Sequence, residues 1–300
     1  MTSRGNEDPE KSLRPGLALA FVSISSISEV STPHGPSPPT LKQVSSHTWA
    51  AADYDVVATP HVRWGNNVVN RLTSMLDPID MPDLRILEAG CGTGKVMQQL
   101  LEGLPNAQVT GVDASEEMLE QAAVRLAPYG TRASLLHHDL TEKLPFESWF
   151  QGVLSVATFH WITDHVTLFS NLSSALVPGG SMVAQWGGAG NIASVMATLA
   201  SLGEGWPGPW LFAGTNETIR RLRNAGFDDI DAWLEEDPVT FDSRDELASF
   251  LQTVVLGAHL ERLDPSKREP FARKVAMAMP EPVVDYVRLN VVARKSLHAS

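Results

Sequence analysis

The stretch ILEAGCGTGK, residues 86–95, sets three glycines, Gly90, Gly92 and Gly94, directly behind an apolar run. A backbone stripped of side chains at that place lets a ligand approach the main chain closely. Two familiar ligand classes fit poorly. A nucleoside triphosphate loop requires G-x-x-x-x-G-K-[ST]; aligning Gly94 and Lys95 with it puts Ala89 at the first glycine and Val96 where a hydroxyl must bind magnesium. A dinucleotide loop requires G-x-G-x-x-G; Gly90 and Gly92 fit, but Lys95 occupies the third position. Glu88, just before the loop, also opposes a pyrophosphate at the following helix N-terminus.

Outward from the loop, strand and helix signals alternate. RILEA (85–89) reads as a buried strand, and Val96, Met97, Leu100, Leu101 and Leu104 then share one helical face. AQVTGVD (107–113) reads as the second strand, with Ser115 capping the next helix and Glu116 and Glu117 in its first turn. ASLLHHD (133–139) and GVLSVAT (152–158) read as strands three and four. A helix through Leu168, Phe169, Leu172 and Leu176 follows, and PGG (178–180) turns into a fifth strand, SMVAQW (181–186). Further on come a helix near 216–225, strand-like alternation in 228–236, two successive helices within 243–280 and a closing strand, YVRLNVVAR (286–294). Ser243 to Glu246 forms a capping box for the first of those helices, and Asp264-Pro265 opens the second. Alternating strands and helices imply a doubly wound, mostly parallel α/β sheet, with the 243–280 helices a lid over the site.

S-adenosylmethionine satisfies the loop better than either phosphate ligand. It carries an ammonium and a sulfonium and no phosphate, so Glu88 assists binding, and Asp113 at the end of the second strand suits a ribose. The bland alternative for Asp113 is a helix cap.

At this point the chain resembles the class I S-adenosylmethionine-dependent methyltransferases. Their first motif, [ED]-x-G-x-G-x-G, is matched by Glu88, Gly90, Gly92 and Gly94; Asp113 matches the second acidic position, Asp139 beside Leu140 the third-strand aspartate, and ALVPGG (175–180) the turn before strand five. FQGVLSVATFHWITDH (150–165), QWGGAGN (185–191) and WAAADYD (49–55) further resemble the trans-aconitate methyltransferase group of small-molecule O-methyltransferases. The resemblance implies a seven-stranded Rossmann-like methyltransferase fold and S-adenosylmethionine as cofactor. It implies cofactor contacts from Glu88, Gly90, Cys91, Gly92, Asp113, Ala114, Asp139, Leu140 and Val156. Gln151 and Val156 depart from the group, which commonly begins strand four with Phe-Asp and ends it with asparagine.

His160 and Trp161 follow strand four, where an open sheet presents its ligands. His160 is the candidate catalytic base or acceptor contact; the alternative is a structural histidine bonded to backbone. Trp161 either meets acceptor and sulfonium or belongs to the core. Tyr54, Trp186 and Arg288 complete the expected substrate contacts, with Arg63 and Arg262 as further candidate anchors for an acidic acceptor. Cys91 carries no expected nucleophilic role, and adjacent His137 and His138 point to opposite strand faces, which disfavours a metal site.

The 300 residues, 43% hydrophobic, suffice for one sizeable core. A formal charge of −12 disfavours nucleic acid and anionic membranes as partners. A single cysteine and the lack of any apolar run near 18 residues fit a reducing, cytoplasmic setting and no membrane span. Residues 1–47, rich in proline and serine, read as a disordered leader, with a targeting peptide as the minority reading; residues 48–300 read as the methyltransferase domain. The expected reaction is methyl transfer to a carboxylate or hydroxyl oxygen of a small molecule. Its rivals are a methyltransferase acting on RNA or protein, and a non-catalytic cofactor-binding protein.

Overall fold

A helix absent from the sequence reading, α1 (Thr59–Leu76), opens the ordered account of the chain. The computed structural model describes residues 59–76 and 83–297, so the leader expected over 1–47 and Tyr54 lie outside the described residues. Along α1, Trp64, Val68, Leu72 and Leu76 recur every fourth position and are all buried. This face packs on the sheet, and Gly65 permits close approach to the next helix: a Cβ there would meet Val96 and Gln99 at 2.8 Å.

The first half of the sheet follows the expected rhythm. Strand β1 (Arg85–Ala89) leads into α2 (Lys95–Gly103), which buries Met97, Leu100 and Leu101. Next come β2 (Gln108–Asp113) and α3 (Glu116–Leu126), where Ser115 Oγ accepts from the Met118 N–H as the expected cap. Strands β3 (Ala133–His137) and β4 (Phe150–Val156) precede α4 (His165–Ala175). Strand β5 (Leu176–Gly187) begins earlier than expected: the PGG turn sits inside its span as an irregularity between the pairs Phe150–Leu176 and Gly152–Ser181.

Helices α5 (Ala193–Ser201) and α6 (Thr215–Asn224) precede β6 (Phe227–Glu236) and the short β7 (Val239–Thr240). The 243–280 segment is more broken than the two expected helices. It comprises α7 (Arg244–Phe250), a π-helical turn at Leu251–Val255, α8 (Gly257–Glu261) and α9 (Pro265–Ala278). The Ser243 cap holds, and the Arg244 guanidinium donates to the carbonyls of Ala276, Met279 and Pro280, satisfying the end of α9. The short β8 (Val283–Val284) pairs with β7, and β9 (Val287–Lys295) ends the fold.

Seven strands form one sheet in the order β3-β2-β1-β4-β5-β9-β6, with β9 antiparallel to both neighbours and the other adjacent pairs parallel. Chain direction across the sheet switches at β1, between β2 and β4, so the loops leaving β1 and β4 diverge and open a crevice at their carboxyl ends. Apolar layers cover both faces, one built on α1, α2 and α3, the other on α4 and α6. A further apolar cluster gathers α5, the α7–α9 helices, Trp64 and Tyr286 beside the crevice. Among the described residues, no helix is long and apolar enough to cross a membrane.

Candidate active site

The loop after β1 is tied down from both sides. The N–H groups of Gly90 and Cys91 donate to the Val112 carbonyl at 2.8 and 3.0 Å, fixing the loop to β2. From β4, Ser155 Oγ donates to the Ala89 carbonyl at 2.6 Å and Thr158 Oγ1 to that of Gly90 at 3.2 Å. Gly90 has φ 78°, and a Cβ there would lie 2.2 Å from Thr158, so both conformation and space demand glycine. Gly92 at φ 49° has open space beside it among the described residues.

Asp113 ends β2 and is partly committed to the chain. Its Oδ2 accepts from the Gly92 N–H at 2.8 Å and its Oδ1 from the Ser115 N–H at 2.9 Å. Burial raises its carboxyl above the usual value, while these backbone donors pull it down. Each oxygen retains acceptor capacity for a ligand hydroxyl. The cap and ligand roles weighed for Asp113 are therefore compatible.

Glu88 is 2% exposed, and its carboxyl is raised well above the ordinary range, first by burial and then by the charge of Asp113. A backbone N–H from Met97 opposes the shift, but Oε2 has no hydrogen-bond partner. A buried carboxylate oxygen without a donor beside an open glycine loop fits a cationic ligand group. The Cys91 thiol is also buried and raised, by burial first and then by Glu88 and Asp113, which leaves it protonated and inert.

The other expected cofactor residues sit around the same edge. Ala114 is exposed, and its carbonyl meets His137 Nε2 at 3.0 Å. Asp139 Oδ1 accepts from the N–H and hydroxyl of Thr141, both at 2.8 Å. The His138 N–H donates to the Asp113 carbonyl at 3.0 Å, bringing the ends of β2 and β3 together. Leu140 is buried in the core, with its carbonyl accepting from Asn171. Val156 ends β4, half-buried between two apolar clusters. No group of metal ligands occurs among the described residues.

A second concavity lies beyond β4, a cavity of about 40 Å³ bounded by His160, Trp161, Trp210, Phe212, Val255 and Arg288. Two of its lining residues, Ala157 (φ 56°) and Ile192 (φ 51°), hold the left-handed conformation, which the β-branched Ile192 resists most. Such strain collects at sites of function. His160 stands on a short 3-10 turn, Phe159–Trp161, and its Nδ1 accepts from the Gly187 N–H at 3.4 Å. That bond places the proton of the neutral ring on Nε2, making this nitrogen a donor rather than a base.

Sequence reasoning missed the support beneath this turn. His165 Nε2 bonds the Phe159 carbonyl at 2.9 Å, and His165 Nδ1 meets Arg221 at 3.3 Å. A guanidinium only donates, so Nδ1 accepts and Nε2 carries the proton. Burial depresses the His165 imidazole, consistent with the neutral form. Only a fold-level view brings α6 behind this turn; a lone histidine at a helix start gives no such signal.

Trp186 corrects the sequence expectation. It does not line the cavity but is fully buried in the core, 5.2 Å from the Phe159 ring, 6.0 Å from His165 and 6.4 Å from Phe169. Side chains alternate along β5, and its neighbour Gln185 faces Asn290 instead. Arg288 is 2% exposed in the cavity wall, its guanidinium 4.0 Å from the Trp64 ring centroid. Arg63 pairs with Asp237 and Arg262 covers the Trp206 ring, so neither bounds the cavity.

Comparison with known proteins follows the same outline. Residues 86–180 match a family described as a methyltransferase domain. The chain is 32% identical to malonyl-[acyl-carrier protein] O-methyltransferase of Priestia megaterium, over 47% of this chain and 48% of that protein. It is 29% identical to trans-aconitate 2-methyltransferase of Pseudomonas paraeruginosa, over 67% of this chain and 76% of that one. The chain spans about half the length of most of the curated relatives it matches. Among solved structures, phosphoethanolamine N-methyltransferase 2 of Haemonchus contortus shares the fold, with TM-score 0.54, 19% identity, and coverage of 83% of this chain and 57% of that one. The match runs from β1 into β5 and includes the glycine loop, so residues 86–180 are similar to a methyltransferase domain.

Proposed function

We propose that the chain transfers the methyl group of S-adenosylmethionine to an oxygen of a small acceptor held in the cavity beyond β4. One observation carries this reading. Thr158 contacts the Gly90 loop while its neighbour Ala157 lines the cavity, so the glycine loop and the cavity share one wall. In the proposed complex Asp113 accepts from the ribose hydroxyls, Glu88 faces the ammonium, and Asp139 with Leu140 borders the adenine. Bound cofactor supplies a methyl group on a positively charged sulfur; transfer forms the O–CH3 bond and leaves the C–S electron pair on sulfur as a neutral thioether.

The chain's own part is placement. A carboxylate oxygen is already ionised at neutral pH and needs no base, so Arg288 orients it, His160 donates to it, and the walls exclude water. The α7–α9 segment serves as the lid, since Val254 and Val255 on its π-turn close one side of the cavity. Partners are small molecules rather than nucleic acid, in keeping with the charge of −12. Purified protein incubated with methyl-labelled cofactor and a metabolite extract tests the reading. Label in a small organic-soluble product supports it; label in tRNA or protein, or cofactor bound without any transfer, contradicts it.

A further inference from the structure

The turn GGAGN, residues 187–191, carries β5 toward α5 and ends on Asn191, which is 5% exposed and lines the cavity. Three backbone bonds hold it. The Gly188 N–H donates to the Val287 carbonyl at 2.9 Å, the Asn191 N–H to the Gly188 carbonyl at 3.0 Å, and the Ile192 N–H to the Asp285 carbonyl at 3.0 Å. The left-handed Ile192 follows directly, so backbone strain falls on the residue beside this side chain.

The Asn191 amide has one orientation. Its Oδ1 accepts from the Val287 N–H at 3.0 Å. A backbone N–H only donates, so the amide cannot be turned over, and Nδ2 is the arm left for the cavity. Nδ2 makes no hydrogen bond to a described residue. It lies beside Gly187, where a Cβ would come within 2.7 Å of it and 2.9 Å of Phe212, so glycine at 187 makes room for it. The Gly187 N–H is also the one that His160 Nδ1 accepts. Asn191 and His160 therefore flank the same residue of β5.

We infer that Asn191 is a further substrate-binding residue, its Nδ2 donating to the carboxylate oxygen that is not methylated. This rests on the proposed methyl transfer and selects carboxylates within it. A locked N–H donor offers nothing to a protonated amine, which also only donates. A hydroxyl has one oxygen, and the donor would compete with the methyl carbon for its lone pairs. A carboxylate has two. One oxygen attacks the methyl carbon and forms the O–CH3 bond, the C–S electron pair stays on sulfur, and no proton moves. The other becomes the ester carbonyl and still accepts from Asn191, so the bond orients the substrate without opposing the step.

Asn191→Asp keeps the oxygen that Val287 requires and replaces the N–H arm with a second oxygen at nearly unchanged shape. Asn191→Ser shortens the side chain instead. The full chain and both variants are first compared by thermal melting and by calorimetry with S-adenosylmethionine. Each then receives methyl-labelled cofactor and a size-filtered metabolite extract. Methyl esters release their label in alkali as volatile methanol, which counts carboxylate products without identifying the acid. Wild type is expected to give alkali-labile label above an enzyme-free control. At limiting extract the rate should fall at least about a hundredfold in Asn191→Asp, where oxygen faces oxygen, and about tenfold in Asn191→Ser, with Tm and cofactor affinity nearly unchanged. Alkali-stable label in a small molecule overturns the inference and leaves methyl transfer standing. So does a wild-type rate from Asn191→Asp, or from Asn191→Ser if the aspartate variant does not fold, and so does a rate loss matched by lost cofactor affinity. If wild type transfers no label to any small molecule, the methyltransferase reading and this inference fall together.

Discussion

The Gly92 N–H donates to Asp113 Oδ2 at 2.8 Å, so the residue that would receive the ribose also holds the glycine loop in shape. Asp113→Ala removes both functions. S-adenosylmethionine affinity should fall at least about tenfold, since hydrogen bonds to a charged acceptor are each worth about 1.5–3 kcal/mol. Asp113→Asn keeps one carbonyl acceptor and should lose less. Calorimetry on the two variants, with far-ultraviolet circular dichroism to verify folding, checks the ordering; equal affinity for Asp113→Ala and wild type would refute the assignment.

Glu88 should show opposite effects on stability and on binding. Its carboxyl titrates near 4.5 when unperturbed and well above that in the folded chain, chiefly through burial. The folded state therefore holds this proton more tightly, and the resulting stabilisation, complete below the unfolded value, is lost as pH rises through the raised one. Glu88→Gln escapes that loss, so the ligand-free variant should melt higher than wild type at neutral pH. It should also bind S-adenosylmethionine more weakly, because the proposed partner of the ammonium is gone. Wild-type affinity should climb with pH as Glu88 ionises, whereas the variant's should stay flat. Thermal melts and titrations across pH test both signs.

His160→Ala should lower turnover modestly, through lost orientation. The bond from the Gly187 N–H to Nδ1 leaves the ring a donor at Nε2. A loss approaching 10⁴-fold, of the size general-base catalysis can supply, with rescue at high pH, would instead favour a hydroxyl acceptor deprotonated by His160.

Trp161 and Trp186 should separate cleanly. Trp186 is fully buried among Phe159, Phe169 and His165, and Trp186→Ala should destabilise the fold by about 3–5 kcal/mol, as large aromatic deletions in cores do. Trp161 is half-buried in the cavity wall, so Trp161→Ala should raise the acceptor KM with little change in Tm. Equal destabilisation by the two substitutions would place Trp161 in the core as well.

The parts of this fold governed by local rules were legible in the sequence. Strand β1 and its glycines, the Ser115, Ser243 and Asp264 caps, and the end of α6 at Gly226 all follow from short-range chemistry. Helix α1 escaped because a proline, a glycine and paired asparagines dilute its four-residue stripe. The π-turn at Leu251–Val255 escaped because its apolar pattern is the same as that of an unbroken helix. The gathering of Glu88, Gly90 and Asp113 at one edge of the sheet was readable from their order, all near strand ends. The cavity beyond β4 was not, since Trp210, Phe212 and Val255 come from segments that meet only once β4, β5 and β9 are assembled. Trp186 was misjudged for the related reason that a strand residue's face depends on register.

The most direct test is a titration of the purified chain with S-adenosylmethionine, NAD and ATP under one set of conditions, followed on both wild type and Asp113→Ala. Saturable one-to-one binding of S-adenosylmethionine alone, weakened by the substitution, is the expected outcome. Comparable or tighter binding of NAD or ATP, or no binding of S-adenosylmethionine by the folded wild type, would contradict the assignment of this glycine loop.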